Sequence, residues 1–291
     1  MLLTVAAFVY SLLGFITGLF NGMFGIGGGI VITPGLLAIF SLLKVPEAHA
    51  THLAVGTSLT YILITSSATS FFYARLGMRM TKERLFLFCA ALLGGILGSV
   101  MAIRSPAFML RALLGLVELG VGVQLFLAGS LRSRASSSLL KGDSQRKPSL
   151  LSLGLLGVAC GMLSPLTGVG GGVVAVPAMV LWYGVPYRQA AANGAFMVIG
   201  SALFSMAFFV LGGLHLGVAG GRWVYPFAFT PVGFVSVLAL VCLLPFGIFG
   251  AKVGSRVAVK ANPASMQVLL AYVLITVGLF VLLPAVLKLL S

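Results

Sequence analysis

Apolar runs of helix-spanning length recur along this chain, broken by short polar or basic interruptions. Ten such segments can be delimited. They lie at about 2–20, 26–43, 52–73, 84–103 and 109–129, then at about 150–166, 171–183, 190–212, 224–248 and 266–288. Roughly 20 apolar residues span a bilayer as a helix, so most of these segments can cross a membrane. Segments 26–43 and 171–183 are short, and each contains a proline and all or part of a glycine triplet. They are expected to be half-helices or re-entrant arms. One long polar interval, Arg132 to Pro148, is rich in Ser, Lys and Arg and reads as a solvated linker. The predicted organisation is an N-terminal membrane repeat over 1–130, a basic linker over 131–149 and a C-terminal membrane repeat over 150–291.

The triplets reveal the repeat. The first copy reads Gly25-Ile26-Gly27-Gly28-Gly29-Ile30-Val31-Ile32-Thr33-Pro34. The second, 143 residues on, reads Gly168-Val169-Gly170-Gly171-Gly172-Val173-Val174-Ala175-Val176-Pro177. Gly14 and Gly18 match Gly157 and Gly161, and Val45-Pro46 matches Val185-Pro186. Gly94, Gly98, Ser99 and Ala102 match Gly250, Gly254, Ser255 and Ala258, and Pro106 matches Pro263. Landmarks in the same order imply duplication. Glycines spaced by four line one helix face and admit a close neighbour.

Composition makes the membrane reading firm. The chain is 60% hydrophobic and 8% charged, with mean hydropathy +1.17, whereas a soluble domain carries roughly a quarter charged residues. The net charge of +14 would suggest nucleic acid in a soluble protein. Here the basic residues sit in short loops between apolar segments, which fits contact with lipid headgroups and argues against a nucleic-acid partner. Their distribution also orients the halves. If the repeats are inverted, 13 of the 18 basic residues fall on one side with the linker. Lys44, Arg104, Arg111, Arg222 and Lys288 fall on the other. Parallel repeats divide them more evenly. The positive-inside rule therefore predicts inverted repeats, a cytoplasmic linker and both termini outside. Met1-Leu2-Leu3-Thr4 has no basic n-region and does not read as a cleaved signal peptide. Cys89, Cys160 and Cys242 lie in apolar segments and read as small core hydrophobes. The fold expected is an all-α membrane protein of two inverted repeats, with about eight to ten transmembrane segments.

The triplets are also the first candidate for chemistry. Glycine permits positive φ, and successive N–H groups in such a turn form an anion-binding nest. A helix starting after the turn adds its free N–H groups and positive dipole end. Gly25, Gly27, Gly28, Gly29, Gly168, Gly170, Gly171 and Gly172 are thus candidate substrate-binding residues. The other reading is that these glycines only let helices cross tightly. Uncharged polar residues nearby form a second set: Thr17 and Asn21, then Ser164 and Thr167. Thr57 and Ser58, with Asn193 at the matching place, form a third. Each could equally cap a helix or bond to its own backbone. Glu118 is the one acid inside a confident span and the candidate for proton coupling. The alternative is a structural residue partnered by Arg111 or Gln124. His49 and His52 sit three apart beside Glu47, but nothing else nearby completes a metal site. The chain contains no GxSxG, HExxH or P-loop pattern, and its four acids leave little for carboxylate catalysis. No cofactor and no metal are called for.

The Gly-Gly-Gly-x4-Pro pattern, followed by Ala54-Val55-Gly56-Thr57-Ser58, resembles the TauE/SafE family of sulfite exporters, also called TSUP, over nearly the whole chain. The resemblance implies movement of sulfite, sulfonates or other small organic anions across a bacterial inner membrane. Asn193-Gly194 departs from the Thr57-Ser58 pattern, so a symmetric site is not implied. The expected function is secondary transport of a small oxyanion, with protons or sodium as candidate coupling ions. An anion channel, or a non-transporting accessory protein of sulfur metabolism, is the alternative.

Overall fold

A computed structural model describes residues 2–43, 45–78, 81–134, 149–215 and 231–290. The first repeat holds α1 (Leu2–Phe24), α2 (Gly29–Leu42), α3 (Glu47–Arg75), α4 (Lys82–Arg104) and α5 (Ala107–Arg134). The second holds α6 (Leu150–Thr167), α7 (Gly172–Leu181), α8 (Tyr187–His215), α9 (Val237–Lys260) and α10 (Pro263–Leu290). Among the described residues, seven helices are long and apolar enough to cross a membrane: α1, α4, α5, α6, α8, α9 and α10. The chain is an all-α membrane protein. Most of the predicted linker lies outside the described residues, although α5 carries Arg132 and Arg134 into it.

Three elements refine the segment pattern. Helices α2 and α7 are short, at 14 and 10 residues, and start at the triplets as expected. Helix α3 is a continuous 29-residue element, but Thr and Ser residues lower its hydropathy. Its Thr57, Ser58, Thr65, Ser66 and Thr69 are nonetheless fully buried, so α3 is an interior helix whose polar side faces protein. The predicted segment 224–248 is helical only from Val237. A two-stranded hairpin precedes it, with Pro231–Val232 as β1 and Val235–Ser236 as β2. Gly233 turns it at φ 61. Residues 224–230 of that segment lie outside the described residues.

The matched glycines explain how the helices pack. A Cβ on Gly14, Gly18 or Gly22 of α1 would collide with the backbone of α9 at Leu243, Gly247 or Ala251. Gly250 and Gly254 of α9 meet the Phe15 and Leu19 carbonyls in return. The second repeat does the same with α4: Gly94 and Gly98 meet the carbonyls of Val158 and Met162 on α6, and Gly161 meets Ala91. The first helix of each repeat therefore lies on the fourth helix of the other. Helices α3 and α8 also pack together, as do α5 and α10. The two repeats interlock across a shared core.

Candidate functional site

The triplets form turns between the first and second helix of each repeat. Gly25, Gly27 and Gly28 take φ 67, 90 and 76, and Gly168 and Gly170 take φ 71 and 82. These left-handed values disfavour any residue with a Cβ. The two turns then touch each other. A Cβ on Gly29 would collide with the Val169 backbone, and one on Gly172 would stand 2.7 Å from the Ile26 Cα. Gly27 and Gly170 would meet the Val169 and Ile26 carbonyls at 3.2 and 3.3 Å, and both face Ile62 and Val198. Residue i of one turn meets j of the other, and the equivalent of j meets the equivalent of i. This is the contact pattern of a two-fold relation. Tight crossing is thus part of what these glycines do.

The turns also carry spare donors. Gly25 and Gly168 bond back to the carbonyls of Asn21 and Ser164. The Gly27 N–H donates to Asn21 Oδ1 at 2.9 Å, and the Val169 N–H to Thr167 Oγ1 at 3.3 Å. Among the described residues, the N–H groups of Gly28, Gly29, Ile30, Gly170, Gly171 and Gly172 make no hydrogen bond. Those of Gly29, Ile30 and Gly172 belong to the first turns of α2 and α7, where the helix dipole adds positive potential.

The polar residues divide into those the structure gathers at the turns and those it does not. Asn21 is fully buried, and its Nδ2 donates to Thr65 Oγ1 and Ser66 Oγ of α3, both at 3.2 Å. Ser58 donates to the Gly168 carbonyl at 2.6 Å, and Thr33 lies 2.8 Å from that carbonyl and 2.9 Å from Ser58 Oγ. Two residues of the first repeat thereby grip the turn of the second. The equivalent places in the second repeat hold Val176 and Gly194. A Cβ on Gly194 would collide with Val176 and lie 2.7 Å from the Gly25 carbonyl. The glycine at position 194 therefore has a steric cause. Asn193 is half-buried and its side chain makes no hydrogen bond among the described residues. Thr57 accepts the Ser236 N–H of the hairpin at 2.9 Å. Ser164 accepts from Ser201 at 3.1 Å, and Thr167 donates to the Leu163 carbonyl at 2.7 Å. Thr17 and Tyr61 meet at 2.8 Å, and Tyr61 donates to the Gly14 carbonyl at 2.8 Å.

Sequence reasoning overlooked Thr33, Tyr61, Thr65 and Ser66. The available signal was the spacing of 58, 61, 65, 66 and 69, which places hydroxyls along one side of a helix in an otherwise apolar chain.

Glu118 lies apart from the turns, on α5. It is fully buried, and neither carboxylate oxygen has a hydrogen-bond partner. The partners considered for it are engaged elsewhere: Arg111 Nε donates to Thr51 Oγ1 at 2.7 Å, and Gln124 is exposed. Gly115 and Gly122, on the same face of α5, pack against Leu282 and Ile275 of α10. His52 packs on the Phe234 ring, with centroids 5.2 Å apart. A groove of about 1060 Å³ opens between the α7–α8 connection and the start of α10, lined by Val180, Tyr187, Asn262, Ser265 and Gln267 among others. Val180 is eight residues along α7 from Gly172, about 12 Å at 1.5 Å per residue.

The sequence matches the family model described as sulfite exporter TauE/SafE over residues 10–281. A probable membrane transporter protein of Methanocaldococcus jannaschii is 28% identical over 279 residues, covering 94% of each chain. The probable membrane transporter protein YunE of Bacillus subtilis is 24% identical over 279 residues, covering 93% of this chain and 95% of its own. A probable membrane transporter protein of Haemophilus influenzae is 27% identical over 280 residues. No solved structure matches the chain. With ten helices among the described residues, facing glycine turns and a family match across nearly its whole length, the chain belongs to the sulfite exporter TauE/SafE family of membrane transporters.

Proposed function

We propose that the protein is a secondary transporter of a small oxyanion: sulfite, a sulfonate, or a related organosulfur or carboxylate anion. The observation that carries this reading is the set of spare N–H groups on two turns that meet in the protein interior. Those turns carry no cationic side chain. Backbone donors and helix dipoles attract an anion, yet hold it less tightly than a buried ion pair would, which suits a ligand that must leave again. The reciprocal contacts between the turns support two repeats related by a two-fold axis. The distribution of basic residues supports inverted repeats with a cytoplasmic linker, and the family supports a bacterial inner membrane. Because the first helix of each repeat lies on the fourth of the other, the moving units in alternating access would be these mixed helix pairs.

A ligand screen tests the reading. Purified protein is heated with sulfite, thiosulfate, methanesulfonate or short carboxylates, each compared with chloride. At a hundred times the dissociation constant, a bound anion stabilises by about 2.7 kcal/mol, which is readable as a raised unfolding midpoint. The stabilising anion should also cross reconstituted vesicles, with saturation. No shift and no flux with any of these anions would leave the accessory-protein reading. Conductance far above carrier turnover would make the protein a channel.

A further inference from the structure

One basic side chain departs from the pattern of the others. Arg84 lies in the first turn of α4 and is 2% exposed. Its guanidinium donates from Nη2 to Ser70 Oγ of α3 at 2.7 Å and stacks over the Phe196 ring of α8, 4.9 Å from the centroid. Its Nε is buried with no partner. Neither a hydroxyl nor an aromatic ring neutralises a full charge. A buried cation with no counter-ion among the described residues is costly, and the N-terminal end of a helix is the worst place for one, because the dipole there is already positive. A bound anion would relieve both.

A polar route joins this residue to the turns. Thr69, beside Ser70, has a buried Oγ1 with no partner. One helical turn earlier on α3, Thr65 and Ser66 hold the Asn21 amide, whose oxygen holds the Gly27 N–H. Four residues of helix, about 6 Å, separate Ser66 from Ser70.

We propose that Arg84, with Ser70 and Thr69, forms a second anion-binding site at one end of a polar stripe on α3 that leads to the first glycine turn. Its ligand is a small oxyanion of the sulfite or sulfonate type. The proposal rests on the transporter reading above, for which this site is where the anion waits beside the turns. The equivalent position in the second repeat is Leu240, 156 residues on. The site thus serves one side of the membrane only.

The test uses the full chain in proteoliposomes and detergent, with sulfite as probe. Arg84→Gln should raise the half-saturating sulfite concentration about tenfold or more, the loss expected for a charge-assisted hydrogen bond. Its anion-free unfolding midpoint should match or exceed that of the unaltered protein, because an unpaired charge has gone. Arg84→Lys should recover part of the affinity. Thr69→Val, which removes no charge, should weaken sulfite binding and carries the test if Arg84→Gln does not fold. Unaltered protein that carries sulfite while Arg84→Gln and Thr69→Val saturate at the same concentration overturns this site alone. A lowered anion-free midpoint in Arg84→Gln with an undiminished sulfite-induced shift makes Arg84 structural and also overturns it. Unaltered protein with neither flux nor shift removes the transporter reading, and this site with it.

Discussion

At the residue scale, the glycines of the turns divide by what they prevent. Gly25, Gly27, Gly28, Gly168 and Gly170 hold left-handed backbone, so even an added methyl group is strained there. Gly29 and Gly172 have ordinary φ but no room, because the opposite turn occupies the Cβ position. Gly29→Ala and Gly172→Ala should therefore each lower the unfolding midpoint substantially, as backbone must move to admit them. A midpoint unchanged in both would mean the turns are not in contact. The hydroxyl pair makes a second prediction. Thr33→Val and Ser58→Ala should each cost about 1 kcal/mol. Their double mutant should cost more than the sum, since either hydroxyl alone still satisfies the Gly168 carbonyl and only loss of both leaves it bare. Additive losses in a double-mutant cycle would show that the pair is independent.

At the element scale, α3 sets the character of the interior. Long apolar helices surround it, while its own Thr and Ser residues bond α1, α2 and α4. A lone interior helix of this composition would be a poor membrane span. It is stable because its hydroxyls find carbonyls, amides and one another inside the protein. The α1–α9 and α4–α6 contacts are the opposite case, with helix backbones touching through glycine. Gly18→Leu should force α1 away from Gly247 and release cooperative structure, measured as a lower midpoint and faster proteolysis. Leu12→Ala, at an exposed position of the same helix, should change neither. If Gly18→Leu proves as stable as Leu12→Ala, the close α1–α9 crossing is wrong.

At the scale of the whole molecule, the placement of charge bears on orientation and coupling. Inverted repeats place the linker and residue 222 on opposite sides. With Cys89, Cys160 and Cys242 replaced by alanine, Ser144→Cys should react with an impermeant maleimide only once the cytoplasmic face is accessible. Arg222→Cys should react in intact cells. Both sites reacting from the same side would require parallel repeats. Glu118 is buried without a hydrogen-bond partner in the first repeat alone. If it carries the coupling proton, Glu118→Gln should abolish flux driven by a pH gradient and leave anion exchange largely intact. Unaltered gradient-driven flux would remove that role.

The segment pattern was legible because a bilayer demands long apolar runs, and no soluble core needs so many. The duplication was legible because Gly25 to Gly29 and Gly168 to Gly172 require glycine for local reasons that survive in each copy. The triplet turns therefore stand between helices where the sequence puts them. What the sequence could not display was which surfaces meet. Thr33 reads as an ordinary helix residue until the Gly168 carbonyl, 135 positions away, is placed 2.8 Å from it. Thr57 reads as an isolated helix hydroxyl until the Ser236 N–H, 179 positions away, is placed 2.9 Å from it. Arg84 reads as one more basic loop residue until α3 and α8 close over it. A glycine's backbone requirement is local and can be read from the chain. A partner for a carbonyl or a charge is a tertiary fact, decided by how the two repeats interlock.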